Sequence, residues 1–257
     1  MTSTTRTLGE TVLLTLRAVR YLVTDIPRGK HSWHETVRQA WFIVSVTALP
    51  SVLVALPFGI IVSVQVGSLT QQIGATSMTG AATGLGVIRQ GAPMATALLL
   101  AGAAGSAIAA DLASRTVREE IDAMRVMGID PVQRAVAPRI VAMLFVAPLL
   151  CILIIFMGLM AGYMLNVGFQ GGSSGGFVSS LASFTSTADL YLALVKSWLF
   201  GLIVVAVACQ RGLSARGGPK GVAEAVNAAV VVGIVTAFVV NVALTQAAAM
   251  FLPQKVG

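Results

Sequence analysis

The chain has 257 residues, of which 56% are apolar and only 11% charged, and it carries a formal charge of +7. Its charged fraction is about half that of an ordinary soluble domain, which excludes a water-soluble fold and places the chain in a bilayer. The basic excess has no aromatic-basic patch around it, so it reports topology and anionic headgroups and excludes nucleic acid as a partner.

Residues 1–38 carry six basic and three acidic groups and no apolar run of signal-peptide quality, so this cytoplasmic N-terminal segment is expected to be retained. Leu8, Val12, Leu16 and Val19 recur at helical spacing beside Arg17 and Arg20, the pattern of an interfacial helix on anionic lipid. A solvated tail is the competing reading. His31 and His34 have no further ligand candidates at metal spacing and read as surface histidines.

Residues 39–257 read as one transmembrane domain. Charge-free runs cover 39–88, 90–110, 140–188, 197–210 and 225–254, and about 20 apolar residues suffice to cross the hydrocarbon. With Gly74, Gly80, Gly84 and Gly86 supplying a reversal, spans fall near 41–67, 82–110, 139–165, 189–210 and 224–250. The expected fold is an all-α polytopic membrane protein with five transmembrane helices. A cytoplasmic N-terminus puts fourteen of the seventeen Lys and Arg residues inside, all but Arg89, Lys196 and Lys255, and the positive-inside rule rejects the reverse. The C-terminus then emerges outside.

In the first two spans, Arg89 lies a turn or two below the expected outer end, where an intramembrane Arg must reach an interface or a partner. Headgroup recognition and snorkelling to the outer surface both fit, and Lys196 near the outer end of the fourth span has the same two readings. Small residues at spacing four, namely Gly80 and Gly84, Ala101, Gly105 and Ala109, and Gly158 and Gly162, suit close helix packing.

Between the second and third spans lies the one dense charged insert, DLASRTVREEIDAMRVMGIDPVQRAVAPRI. Thr116 with Glu119 fits a capping box, and Glu119, Glu120 and Asp122 place negative charge in the first turns. Arg125 sits near the other end, Gly128 suits a left-handed C-terminus, and Pro131 stops the helix. Val117, Ile121, Met124 and Met127 form one apolar stripe opposite the charges. A helix of about three turns is marginal alone and needs a surface to dock on. A groove in a soluble protein suits it better than an anionic inner leaflet, which the acidic cap fits poorly.

The outer loop, 168–188, begins GFQGGSSGGFVSSLASFTS, a Gly/Ser-rich connector expected to be mostly flexible, although Phe169, Phe177, Val178, Leu181 and Phe184 suit the outer interface or an extracytoplasmic partner. Cys151 and Cys209 fall within spans as small packing residues. No catalytic or metal site is expected. GGPKG around Lys220 lacks the spacing and the preceding strand of a phosphate-binding P-loop.

The segment IRQGAPMATALLLAGAAGSAIAADLASRTVREEIDAMRVMGIDPVQRAVAPR, together with LVKSWLFGLIVVAVACQRGLSARGGPKGVAEAVNAAVVVGIV, resembles the MlaE/YrbE permeases, the membrane subunits of lipid-transporting ABC systems, most of all the YrbE subunits of actinobacterial Mce systems. The resemblance covers roughly residues 30 to 250. It implies an N-terminal interfacial helix, five spans, pairing of two permease subunits, and a coupling helix at 115–128 for a cytoplasmic ABC ATPase. Carried over by position, that contact comprises Arg118, Glu119, Glu120, Asp122, Met124, Arg125, Met127, Gly128, Asp130 and Pro131.

The same resemblance implies a ring or tube of MCE-domain proteins above the pair and an apolar lipid cavity lined by Val62, Leu69 and Ile73, with Gln65 and Val66 beside them and Arg89 and Gln90 nearby. Fatty acids, phospholipids and sterols all fit such a cavity, and the Mce relatives suggest import. No cofactor is expected in this chain, since ATP and Mg would be bound by the partner ATPase. Gln90 stands where many relatives carry Glu, and Ala103 where some carry Arg. Both changes remove charge and favour a heterodimer with a paralogous subunit. The competing classes are an ion-driven secondary lipid carrier, which five spans without a midplane ionisable residue fit poorly, and a passive membrane anchor of an envelope complex, which leaves the charged insert unexplained.

Overall fold

The computed structural model describes the backbone of residues 2–25, 32–72, 74 and 78–251, and the side chains of 9–24, 32–72, 74, 78–248 and 250. Ile73, Arg28, Lys30, His31 and Lys255 lie outside the described residues. Among those described, every regular element is helical. Helix α1 is Thr2–Asp25 and α2 is Trp33–Gln72, the first span. At about 1.5 Å per residue α2 is near 60 Å long, roughly twice the hydrocarbon thickness, so its ends extend beyond the apolar core or it tilts.

The second span, Thr79–Val117, is assembled from α3 (Thr79–Leu85), α4 (Ala92–Leu99) and α5 (Ser106–Val117), joined by π-helical turns at Gly86–Gly91 and Leu100–Gly105. The short α6 (Glu120–Val126) follows. A third π-helical turn, Val132–Val136, opens the third span and runs into α7 (Ala137–Phe169). After α8 (Ser174–Phe184) come the fourth span, α9 (Thr187–Leu213), and α10 (Pro219–Phe251), which carries the fifth. Five helices are thus long and apolar enough to cross a membrane, and each exceeds its expected bounds.

The chain forms two compact units, Met1–Thr47 with Leu98–Ala147 and Trp198–Ala237, and Ala48–Ala97 with Pro148–Ser197 and Phe238–Gly257. In the first, small residues let helices approach closely. A side chain at Gly212 would meet Leu112 Cβ at 2.6 Å, one at Gly201 would meet Ala147 Cβ at 2.8 Å, and one at Gly105 would meet Val204 at 3.1 Å. Ala18 and Leu22 of α1 are buried, and the Tyr21 hydroxyl donates to Asp130 Oδ2 at 2.6 Å.

In the second unit, Gly158 and Gly162 seat the first span on the third: a side chain at Gly59 would collide with the Gly158 carbonyl, and Ser63 Oγ donates to the Gly162 carbonyl at 3.1 Å. Gly80 and Gly84 likewise receive α8, meeting the Phe177 carbonyl and Leu181. The Gly/Ser-rich outer loop is therefore not a plain connector. Ser173 caps α8 by accepting from Gly176 N at 3.1 Å, and the buried Phe177 ring stands edge-on to Tyr163 with centroids 5.6 Å apart. The glycines left a surface close enough for one apolar side chain to anchor the whole helix.

Candidate functional site

The charged insert is built differently from the expected capped rod. Thr116 belongs to the last turn of α5, its hydroxyl donating to Leu112 O at 2.8 Å and Gly212 O at 3.2 Å. No capping box forms, because Glu119 adopts the left-handed conformation (φ 62°) and caps α6 without a side-chain bond. This reversal breaks the helical phase between Val117 and Ile121, so the apolar stripe read across both is not one surface. Ile121 is buried against its own unit, whereas Val126 and Met127 are 89% and 66% exposed. Helix α6 spans two turns where about three were expected.

The end of α6 matches expectation in kind. Gly128 is left-handed (φ 76°), and the amides of Gly128 and Ile129 reach back to the carbonyls of Arg125 and Met124 at 3.0 and 2.9 Å, the Schellman arrangement. Pro131, however, stands directly before the π-helical turn that opens the third span, its backbone already right-handed helical (φ −59°, ψ −29°). Asp130 Oδ1 accepts the Val132 amide at 2.8 Å, so Asp130 and Pro131 act as cap and starter. On the outside of α6, Arg118 pairs with Glu120 at 3.0 Å and Arg125 with Asp122 at 2.7 Å, all four side chains well exposed. Such pairs contribute little to stability. Their carboxylates and guanidiniums remain open to a partner, as does a polar cleft of about 300 Å³ between Glu119, Asp122, Arg125 and Arg216.

Outside the membrane-spanning segments, the Tyr21 phenol is raised from its ordinary pKa of 10.0 by its hydrogen bond to Asp130 and the charge of that carboxylate. Deeper in the same unit, Arg139 is buried, donates to Ala135 O at 2.6 Å and pairs with Asp111, which also holds Arg115 at 3.1 Å. From the sequence, Arg139 counted only toward topology, and Arg115 toward topology and the coupling segment 115–128; their shared partner Asp111 was not foreseen. Opposite charges flanking the insert, on the two spans it joins, were the available clue.

The second candidate region surrounds Arg89 in the π-helical turn Gly86–Gly91. Its guanidinium grips Asp189 through Nε at 2.8 Å and Nη2 at 3.3 Å. Asp189 is held by the Ser186 amide and hydroxyl, each at 3.1 Å, a capping box at the start of α9. Arg89 is thus paired within the chain, yet its side chain keeps 35% exposure. Lys196 does not snorkel outward. It is 3% exposed and donates to Thr245 Oγ1 at 2.8 Å and to Arg89 O at 3.5 Å. Along α2, Gln65 and Leu69 are exposed, Val62 and Val66 are half-buried, and Gln90 is exposed.

Five helices long and apolar enough to cross a membrane, with a charged insert between the second and third, describe a multi-pass membrane protein. A family model described as Permease MlaE matches residues 36–247, and the chain belongs to that family. It is 33% identical to a probable ABC transporter permease protein of Synechocystis, over 71% of this chain and 70% of the relative. It is 29% identical to a probable ABC transporter permease protein of Rickettsia felis, over 82% and 81%. It is also 29% identical to the chloroplastic protein trigalactosyldiacylglycerol 1 of Arabidopsis thaliana, over 88% of this chain and 64% of that protein.

Proposed function

We propose that this chain is the membrane subunit of an ATP-driven lipid transporter in the plasma membrane, with its N-terminus cytoplasmic and its C-terminus outside. A separate ABC ATPase, carrying its own ATP and Mg, docks on residues 115–128. The observation that carries this reading is the insert itself: two closed turns bounded by Glu119 and Gly128, presenting Val126 and Met127 beside exposed Arg118, Glu120, Asp122 and Arg125. Force on α6 passes directly into the second span through Glu119 and into the third through Asp130 and Pro131. Family membership and the permease names of the relatives support the same role.

Fatty acids, phospholipids or sterols are the proposed cargo, imported from an MCE-protein ring or tube, with a paralogous YrbE-type subunit completing the pair. A glycerolipid in the name of the chloroplast relative supports a lipid cargo. Val62, Leu69 and Ile73 supply the apolar wall with Gln65 and Val66 beside them, and Arg89 with Gln90 meets the headgroup. Replacing Glu120 and Arg125 together with Ala is expected to abolish co-purification of the ATPase while leaving membrane insertion intact. Undiminished co-purification contradicts the assignment, as does robust ATP hydrolysis by the purified single chain.

A further inference from the structure

We infer that the unit holding the charged insert contains a phosphate-binding pocket that takes the headgroup of an anionic phospholipid. Glu35 and Arg38 of α2, Arg115 of α5, Met124 of α6, and Arg134 and Arg139 at the start of the third span enclose a cavity of about 150 Å³, many times the roughly 10–15 Å³ a single water needs. Four arginines and one glutamate are among its lining residues. Arg139 is 1% exposed and its Nε hydrogen has no acceptor, although a buried guanidinium donor normally finds one.

Asp111 neutralises part of this charge through Arg115 and Arg139, and Glu35 is occupied by the Gln39 amide at 2.7 Å. Among the described residues, Arg38 and Arg134 carry no ion pair and are exposed at the mouth. Arginine in a fixed fork suits phosphate oxygens, and several converging forks suit a tetrahedral anion better than one planar carboxylate. Apart from Met124 of the insert, the residues come from the ends of the first three spans, where the long charge-free runs give way to charged residues, as they do where a span leaves the hydrocarbon. Naming the leaflet as cytoplasmic rests on the topology proposed above; the pocket does not.

Native mass spectrometry of the full chain with its co-purifying subunits, titrated with a phosphatidylglycerol, a phosphatidylcholine and inorganic phosphate, tests this. One phosphatidylglycerol bound per chain is expected, weakened about tenfold or more in Arg38→Gln/Arg134→Gln, the scale of lost charged hydrogen bonds. Glu35→Gln removes the opposing charge and is expected to tighten binding, a gain that misfolding does not mimic. Retention of inorganic phosphate alone, lost in the same double variant, supports the anion site and assigns it to a free phosphate. Binding unchanged by both variants overturns the proposal. So does loss of the ATPase from Arg38→Gln/Arg134→Gln with anion binding intact, which would assign these arginines to a protein contact.

Discussion

Glu119 is the only non-glycine residue with positive φ among those described, at 62°. The left-handed conformation costs an L-residue about 1–2 kcal/mol, and glycine escapes that cost. Glu119→Gly is therefore expected to leave thermal stability equal or higher, while Glu119→Val lowers it by more than about 1 kcal/mol, since a β-branched side chain suits this conformation worst. Thermal unfolding of the two purified variants checks the order. The Asp111–Arg139 pair makes a sharper case, because removing one partner leaves a buried charge uncompensated. Asp111→Asn should cost about 3–5 kcal/mol, and Asp111→Asn with Arg139→Met should recover most of it, as read by a denaturation cycle over the single and double variants.

Tyr21 gives the pH dependence at this scale. Its pKa lies above 10.0 in the folded chain because Asp130 accepts its proton and repels the phenolate. The contribution of this bond is fully present below the ordinary tyrosine value and is lost as pH rises through the raised one. Hydrogen exchange in α1 should thus be insensitive to pH, after correction for intrinsic rates, up to about 10 and accelerate above it. Tyr21→Phe should show the accelerated exchange at neutral pH.

At the scale of elements, the spans were legible because twenty apolar residues in a row have few alternatives in lipid. The basic flanks of the insert and the left-handed Gly128 were legible for equally local reasons. What the sequence hid were relations between segments. The shift of phase at Glu119 has no residue signature, since glutamate seldom adopts that conformation, and it turned Ile121 inward and Val126 and Met127 outward. Helix α8 was hidden because its stability comes from Gly80 and Gly84 accepting Phe177 and Leu181, not from its own Gly/Ser-rich composition. The Arg89–Asp189 pair joins residues 100 apart in sequence. Gly59→Val is expected to disrupt seating of the first span on the third, because a side chain there meets the Gly158 backbone, whereas Gly102→Ala, which points into open space, should fold normally. Elution of the two variants as monodisperse or aggregated species distinguishes them.

For the whole molecule, only 22% of the apolar 18-residue windows of the first and fifth spans is buried, against 56–61% for the other three. Among the described residues, the second, third and fourth spans therefore carry more of the buried positions than the first and fifth. The family assignment fixes a permease; the direction of the insert decides whether a cytoplasmic motor reaches it. Met127, exposed at the tip of that insert, is the natural reporter, since Cys151 and Cys209 are buried. Membrane-impermeant maleimide labelling of Met127→Cys in intact cells and in inside-out vesicles reads which side of the membrane the insert occupies. Labelling only in inside-out vesicles, and its suppression by the bound ATPase, is the predicted result. Labelling from outside intact cells would contradict a cytoplasmic insert and with it the docking of an ATPase there.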